Sequence, residues 1–351
     1  MGPNVYPDAM AEAYQRLDGL GYERGEHDFA NHGPMAAEAL CALGFGDEVA
    51  TWVEHYKRRM DHHDPPEPRF RIDPSDEQSW RESLGQFTRA GDWEAVFRRE
   101  LADRPWRDVL AQWWPRLLPG LLAALTHGLI RTAHAVRCLS AAVHPDDAAL
   151  AELARGLAYW AARYAPLPGE VAFAGQQTIA EAIARVGRGQ SDDTSSYVEA
   201  LTALSPLDAG RRLSEMTSTF AGVYLAHPDD PPVPMIHAVT APAAMRIALA
   251  QLPAELHEPS VAAMWRVHVA MLAMFTRDAG AERQSLDIAS RNGPPSWQDL
   301  FGRAAENGDE HVIKFTEACA RENALQPDPR FPAAVQAALD RIRFRPPGTS
   351  R

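Results

Sequence analysis

The chain has 351 residues, 46% of them hydrophobic, with 47 acidic side chains against 35 basic ones and a net charge of −12. That length and apolar content suffice to bury a large core, and nine tryptophans give it wide packed surfaces or a roomy pocket. An acidic surface repels a polyanion, which argues against nucleic acid as a partner.

Apolar residues recur at helical spacing from end to end. The spacing predicts helices over 8–19, 34–43, 46–60, 91–102, 106–142, 146–164, 176–187, 208–226, 235–252, 257–276, 297–306, 309–323 and 331–343. No segment alternates cleanly between apolar and polar residues with hairpin turns at its ends, so the expected fold class is all-α. The 106–142 pattern contains Pro115 and Pro119, where it is expected to break into two helices. Polar, proline-rich DHHDPPEPRFRIDPSD (61–76) reads as an ordered surface loop, and HPDDPPVP (227–234) ends one helix and starts another. Residues 279–296 are rich in Gly, Ser and Asn and read as a lid or a mobile connection. With no fixed-period repeat and no true linker, the expected organisation is a single compact helical domain over 1–344, followed by a flexible tail, RPPGTSR, at 345–351.

Cys41, Cys138 and Cys319 are far apart and form no CxxC pair, which suits reduced thiols in the cytoplasm. MGPNVYPDAM lacks the basic and apolar regions of a signal peptide. The most apolar stretch, Leu117 to Val143, contains His127, Arg131, His134 and Arg137. Four such residues are costly in lipid, so the stretch reads as a buried core helix and the protein as soluble and cytoplasmic, with no membrane partner.

Thirteen histidines raise the question of which share a site. In HGLIRTAHA (127–135), His127, Arg131 and His134 lie on one helix face at about 100° per residue. Such a row on a buried helix is expensive unless something binds it, or unless Arg131 meets a buried carboxylate and the rings meet carbonyls. His32 precedes Pro34, a residue suited to a first helical turn; alone it reads as a residue capping the helix entry. His237 stands near a helix start after a proline-rich loop. In DEHVIK (309–314) His311 and Lys314 are neighbours on one face. Alone, that segment reads as a plain solvated helix with Glu310, Lys314 and Glu317 exposed.

Other motifs fail. His62, His63 and Asp64 resemble a facial-triad or phosphohydrolase fragment, but sit without partners in a polar loop. The two HPDD segments (144–147 and 227–230) place their Asp as a helix cap or turn residue. No Glu-x-x-His, HExxH, GxGxxG, GxxxxGK[ST] or GxSxG occurs, which removes ferritin-like di-iron bundles, zincins, the usual nucleotide cradles and serine hydrolases.

Taken in order, NHGPM (31–35), HGLIRTAHA (127–135), IHAVTAPAAMR (236–246) and DEHVIK (309–314) resemble the signature segments of the questin oxidase-like family. Members act in aromatic polyketide pathways and oxidatively open anthraquinone-type rings, by a Baeyer–Villiger-like or a dioxygenase outcome. The resemblance implies a non-haem Fe(II), with O2 as co-substrate, in a metal site between helices. Its ligands are four histidines and a carboxylated lysine, here His32, His127, His237, His311 and Lys314, with His134 a fifth histidine able to replace one of them. Arg131 and His134 are the candidates to hold or deprotonate a phenolic oxygen of a small aromatic substrate. The fungal pattern has a histidine where Arg131 stands and an aromatic near His134, a departure that bears on the substrate more than on the metal. Imidazole nitrogens suit Fe(II), and no flavin motif competes for the role of activating O2. Two other classes stay open: a zinc-type hydrolase and a non-catalytic helical binding protein. The sequence leaves undecided the native substrate, a need for NADPH or another reductant, and the oligomeric state.

Overall fold

The described secondary structure is helical throughout, apart from one tiny ribbon and isolated bridges. The computed structural model describes residues 5–142, 146–189, 195–290, 293 and 295–342, so the expected tail at 345–351 lies outside the described residues. The chain divides into two compact units. The first takes the chain through Pro166 and includes Ile247–Pro253; the second comprises Leu167–Arg246 and Ala254–Phe344.

The first unit is built from α1 (Val5–Leu17), α2 (Gly33–Ala42), α3 (Val49–Arg58), α4 (Glu77–Ser83), α5 (Ala90–Asp103), α6 (Trp106–Leu117), α7 (Ala123–Ala141) and α8 (Asp147–Ala162). Between α1 and α2, Glu23–Arg24 and Phe29–Ala30 pair antiparallel, with Glu23 opposite Ala30. Helices α7 and α8 cross at two interlocked glycines. A Cβ on Gly128 would stand 2.6 Å from the Cα of Trp160, and one on Gly156 would stand 2.9 Å from the Cα of Thr132. Neither distance is compatible with a side chain, so glycine is what lets these backbones touch. Trp160 donates from Nε1 to the Gly120 carbonyl at 3.2 Å, closing the same corner.

Helix α6 carries Pro115 without breaking, and the expected interruption falls instead at Pro119, in the 3-10 turn Leu118–Gly120. Beyond that turn the backbone is unusual: Ala124, Leu125 and Thr126 all have left-handed angles, with φ of 46°, 55° and 68°. These three residues deliver the chain into the regular part of α7 at His127.

The second unit contains α9 (Ile179–Ile183), α10 (Ser195–Ala203), α11 (Ala209–Ala226), most of α12 (Pro232–Leu249), α13 (His257–Phe275), α14 (Ser285–Ser290), α15 (Trp297–Asn307), α16 (Glu310–Leu325) and α17 (Arg330–Arg341). Helix α15 ends on Gly308, at φ 70°, and Asp309 at once caps α16 by accepting from the amides of His311 and Val312. That is a turn in the left-handed conformation followed by an N-cap, the chemistry an Asn-Gly-Asp run favours. Helices α12 and α16 are tied by Arg246, whose Nε and Nη2 donate to the buried Glu322 at 3.0 and 2.8 Å.

The long predicted helices are present, with ends shifted by a few residues; 176–187 shrinks to α9. Helices α4, α10 and α14 are additions, each short. The stretch read as a lid or mobile connection contains α14, while residues 291, 292 and 294 of it lie outside the described residues. The Asp146 of the first HPDD caps α8, as expected; residues 144 and 145 of that segment are outside the described set. Among the described residues no helix is long and apolar enough to cross a membrane. All three cysteines are buried thiols.

Candidate metal-binding and proton-transfer groups

In the first unit the loop that delivers His32 is fixed by Asn31. Its side chain donates to the Gly21 carbonyl at 2.9 Å and accepts from the Gly33 amide and the Tyr56 hydroxyl, both at 3.0 Å. Tyr56 in turn accepts from the His32 amide at 2.7 Å. His32 occupies the N-cap position of α2, but its ring makes no capping bond, so the cap reading of this residue does not hold. The ring faces His127 instead: the two Nε2 atoms lie 2.6 Å apart, with ring centroids 4.5 Å apart.

The tautomer of His127 is set by its other nitrogen. Nδ1 is bonded to the Ala124 carbonyl, and a carbonyl only accepts, so Nδ1 carries the proton and Nε2 presents a lone pair. A second imidazole nitrogen 2.6 Å from that lone pair must either donate a proton to it or share a cation with it. Two nitrogens bound at ~2.1 Å and at right angles to one metal lie about 3 Å apart, close to this separation. The carbonyl behind His127 is also the partner that a metal-bound imidazole normally has on its far nitrogen. Both rings are buried. The donor set therefore fits a metal of imidazole preference.

About two turns further along the same pair of helices lies a charged cluster. His134 Nδ1 meets Glu38 Oε2 at 2.5 Å, and Glu38 also accepts from Arg137, with Nε at 2.6 Å, and from the Tyr6 hydroxyl. Burial alone would raise the Glu38 carboxyl, but Arg137 and His134 outweigh it and hold it down at about 2. Arg131 is engaged in a different pair: Nε and Nη2 donate to the two oxygens of buried Glu152 at 2.6 and 2.9 Å. Its Nη1 has no hydrogen-bond partner among the described residues. Thus His127, Arg131 and His134 share a helix, yet each faces a different neighbour.

In the second unit His237 on α12 and His311 on α16 bring their rings to 5.9 Å between centroids. Lys314, one turn beyond His311, is buried, and so are Glu310 and Glu317. The reading of this segment as a solvated helix is corrected: its charged face points inward. His62 and His63 conform better to expectation, with His63 exposed and His62 half-buried. Burial, then Arg24, lowers His62 to about 4. Glu23, Asp28 and His63 come within 4.8 Å of one another. Glu23 is already held there by Arg163 and Tyr159, which leaves that group little capacity for a cation.

The residues that sequence reasoning passed over are Glu38, Arg137 and Glu152. The available signal was a lone carboxylate at Glu38 in an otherwise apolar helix, six residues after His32.

The fold and site define an all-helical protein with facing buried imidazoles, and with carboxylates behind its other polar groups. The family model described as questin oxidase-like matches residues 29–209, more than half of the chain. The chain belongs to the questin oxidase-like family. Membership marks it as an oxidoreductase of the oxidase type and suggests polyketide pathways. The match spans His32, Glu38, His127, Arg131 and His134 and ends before His237, His311 and Lys314. No match was found among curated proteins.

Proposed function

We propose that this chain is a non-haem iron oxygenase that opens a ring of a polycyclic aromatic, of the anthraquinone or anthrone type, with O2. The observation that carries the reading is the His32–His127 pair, two buried imidazoles 2.6 Å apart, one of them held by its far nitrogen in the ligand tautomer. The proposed ligand set is His32, His127, His237, His311 and Lys314 as its carbamate. Bound iron supplies the activation of O2.

Lys314 suits that role by burial and by its place one turn from His311. An ammonium has no lone pair, and a buried one is costly. Its neutral amine adds CO2 and loses a proton to give a carbamate, an anionic oxygen donor on a long stem. That anion supplies negative charge to a set otherwise made of neutral rings. Arg131, anchored by Glu152, keeps one N–H for a phenolic oxygen of the substrate. Proton removal from the phenol falls to His134, whose Nδ1 faces Glu38 and whose Nε2 then holds the lone pair. Along α7 His134 comes about 10 Å beyond His127, which supports giving it the proton rather than the ion.

The test is metal analysis after anaerobic Fe(II) reconstitution, together with O2 uptake on an anthrone. About one iron per chain is expected, falling strongly in His32→Ala, His127→Ala and Lys314→Met. The intact protein is expected to be heavier by one carboxyl group at Lys314. Full iron in all three variants overturns the ligand set. Zinc retention without O2 uptake would point to a hydrolase, and a protein that takes up no metal to a binding protein.

A further inference from the structure

Glu38 enters the proposed reaction only as the neighbour of His134, although it gathers more donors than any neighbouring carboxylate. It sits on α2, fully buried, and accepts from His134 and Arg137 of α7 and from Tyr6 of α1. The surrounding hydroxyls and thiol complete the cluster: Tyr14 donates to Cys138 Sγ at 3.1 Å, and Tyr6 lies 3.6 Å from the same sulfur. The contacts His32 with His127 and Glu38 with His134 are six residues apart on one helix and seven on the other. Helices α2 and α7 thus run in the same direction as two rails with two rungs, the first of paired imidazoles and the second of carboxylate and imidazole.

We infer that Glu38 is a positioning residue for His134, fixing the ring with its proton on Nδ1 so that Nε2 stands as the base. This rests on the proposed role of His134. A carboxylate can only accept, so a neutral His134 must direct its N–H at Glu38. The lone pair is then confined to Nε2, the arrangement by which a buried carboxylate orients a catalytic histidine. Arg137 is the second part of the device. Its bidentate hold on Glu38 keeps the carboxylate ionised and stationary, so the ring cannot rotate without abandoning a charge-assisted bond. When His134 takes a proton at Nε2, the resulting imidazolium is compensated by the carboxylate already in place.

Glu38→Gln tests this. Arg137 claims the carbonyl oxygen of the new amide, so its NH2 turns to His134. The ring must then accept at Nδ1 and carry its proton on Nε2, where no base remains. The readout is the pair of ring nitrogens of His134 in 15N-histidine-labelled, metal-free protein, assigned with His134→Gln and followed against pH. Wild type is expected to show the neutral ring protonated at Nδ1. Glu38→Gln is expected to show the opposite tautomer and at least a tenfold weaker hold on the second proton, with the acid limb of kcat/KM moved equally in the iron-loaded enzyme. Glu38→Asp, which keeps the charge, is expected to retain the Nδ1 proton. A wild-type ring protonated at Nε2 overturns the inference before any variant is made, as does a Glu38→Gln ring that titrates like wild type. Since this readout needs neither iron nor substrate, an unchanged kcat/KM in His134→Gln would strike the base role itself and leave the tautomer assignment standing.

Discussion

Removing Glu152 is the perturbation that best separates what Arg131 does for the fold from what it does for a substrate. In Glu152→Leu the guanidinium loses its partners at Nε and Nη2, while its third nitrogen already lacks one among the described residues. Burial alone would weaken its hold on the proton, and Glu152 more than offsets that, so the native side chain stays charged. Water cannot stand in for the carboxylate, because the two side chains are only 3% and 4% exposed. The Tyr22 ring, 5.3 Å from the guanidinium carbon, offers a weaker consolation. Stripping one partner from such a pair costs about 3–5 kcal/mol. At about 2–4 °C per kcal/mol for a cooperative unit of this size, Tm is expected to fall on the order of 10 °C. The double variant Glu152→Leu/Arg131→Met replaces both charges by apolar groups of similar bulk and is expected to recover most of the loss. Urea unfolding of wild type, Glu152→Leu, Arg131→Met and the double completes the cycle. A single variant within about 1 kcal/mol of wild type, or a double no better than the single, refutes the reasoning. Oxygen uptake by the double then isolates the substrate role, which predicts a stable protein with a depressed kcat/KM.

Gly128→Ala places a methyl group 2.6 Å from the Trp160 backbone, so α7 and α8 must part; a loss of about 1–3 kcal/mol in urea unfolding is expected, along with weaker iron binding at the adjacent His127. His268 stacks on Phe220 at 3.9 Å and bonds the Ala238 carbonyl, and burial lowers its pKa to about 4. The unfolded chain therefore binds the extra proton first, so stability held above about pH 6.5 is lost as pH falls toward 4, by up to roughly 3 kcal/mol. Urea midpoints measured across that range are expected to slope less in His268→Gln, and an unchanged slope assigns the loss to other groups.

The helices were legible because each buries an apolar stripe, and periodicity reports burial directly. Helix α4 escaped because only Trp80 and Ser83 of its seven residues are buried, too few to mark a period. Pro34 announced the start of α2, and with it the place of His32. The spacing of His311 and Lys314 put them on one face but could not say which way the face pointed. Glu310, Lys314 and Glu317 look solvated as letters and are buried as side chains, because the direction of a helix face is set by its neighbours in space. The partners of Arg131 and His134 were hidden for the same reason. Glu152 lies 21 residues from Arg131 and Glu38 lies 96 from His134, and no local pattern connects positions so far apart.

The left-handed turn before His127 has a bearing on how this protein can change. Ala124, Leu125 and Thr126 each occupy a conformation costing an L-residue roughly 1–2 kcal/mol, where glycine would be nearly free. A glycine at Leu125 would relieve strain and leave the chain more stable by that measure. It would also open other paths for the backbone that carries the Ala124 carbonyl, and with it the proton on His127 Nδ1. Three residues in the left-handed conformation hold there the carbonyl that the ring bonds, so substitutions that stabilise this corner are the ones expected to blur the aim of the imidazole.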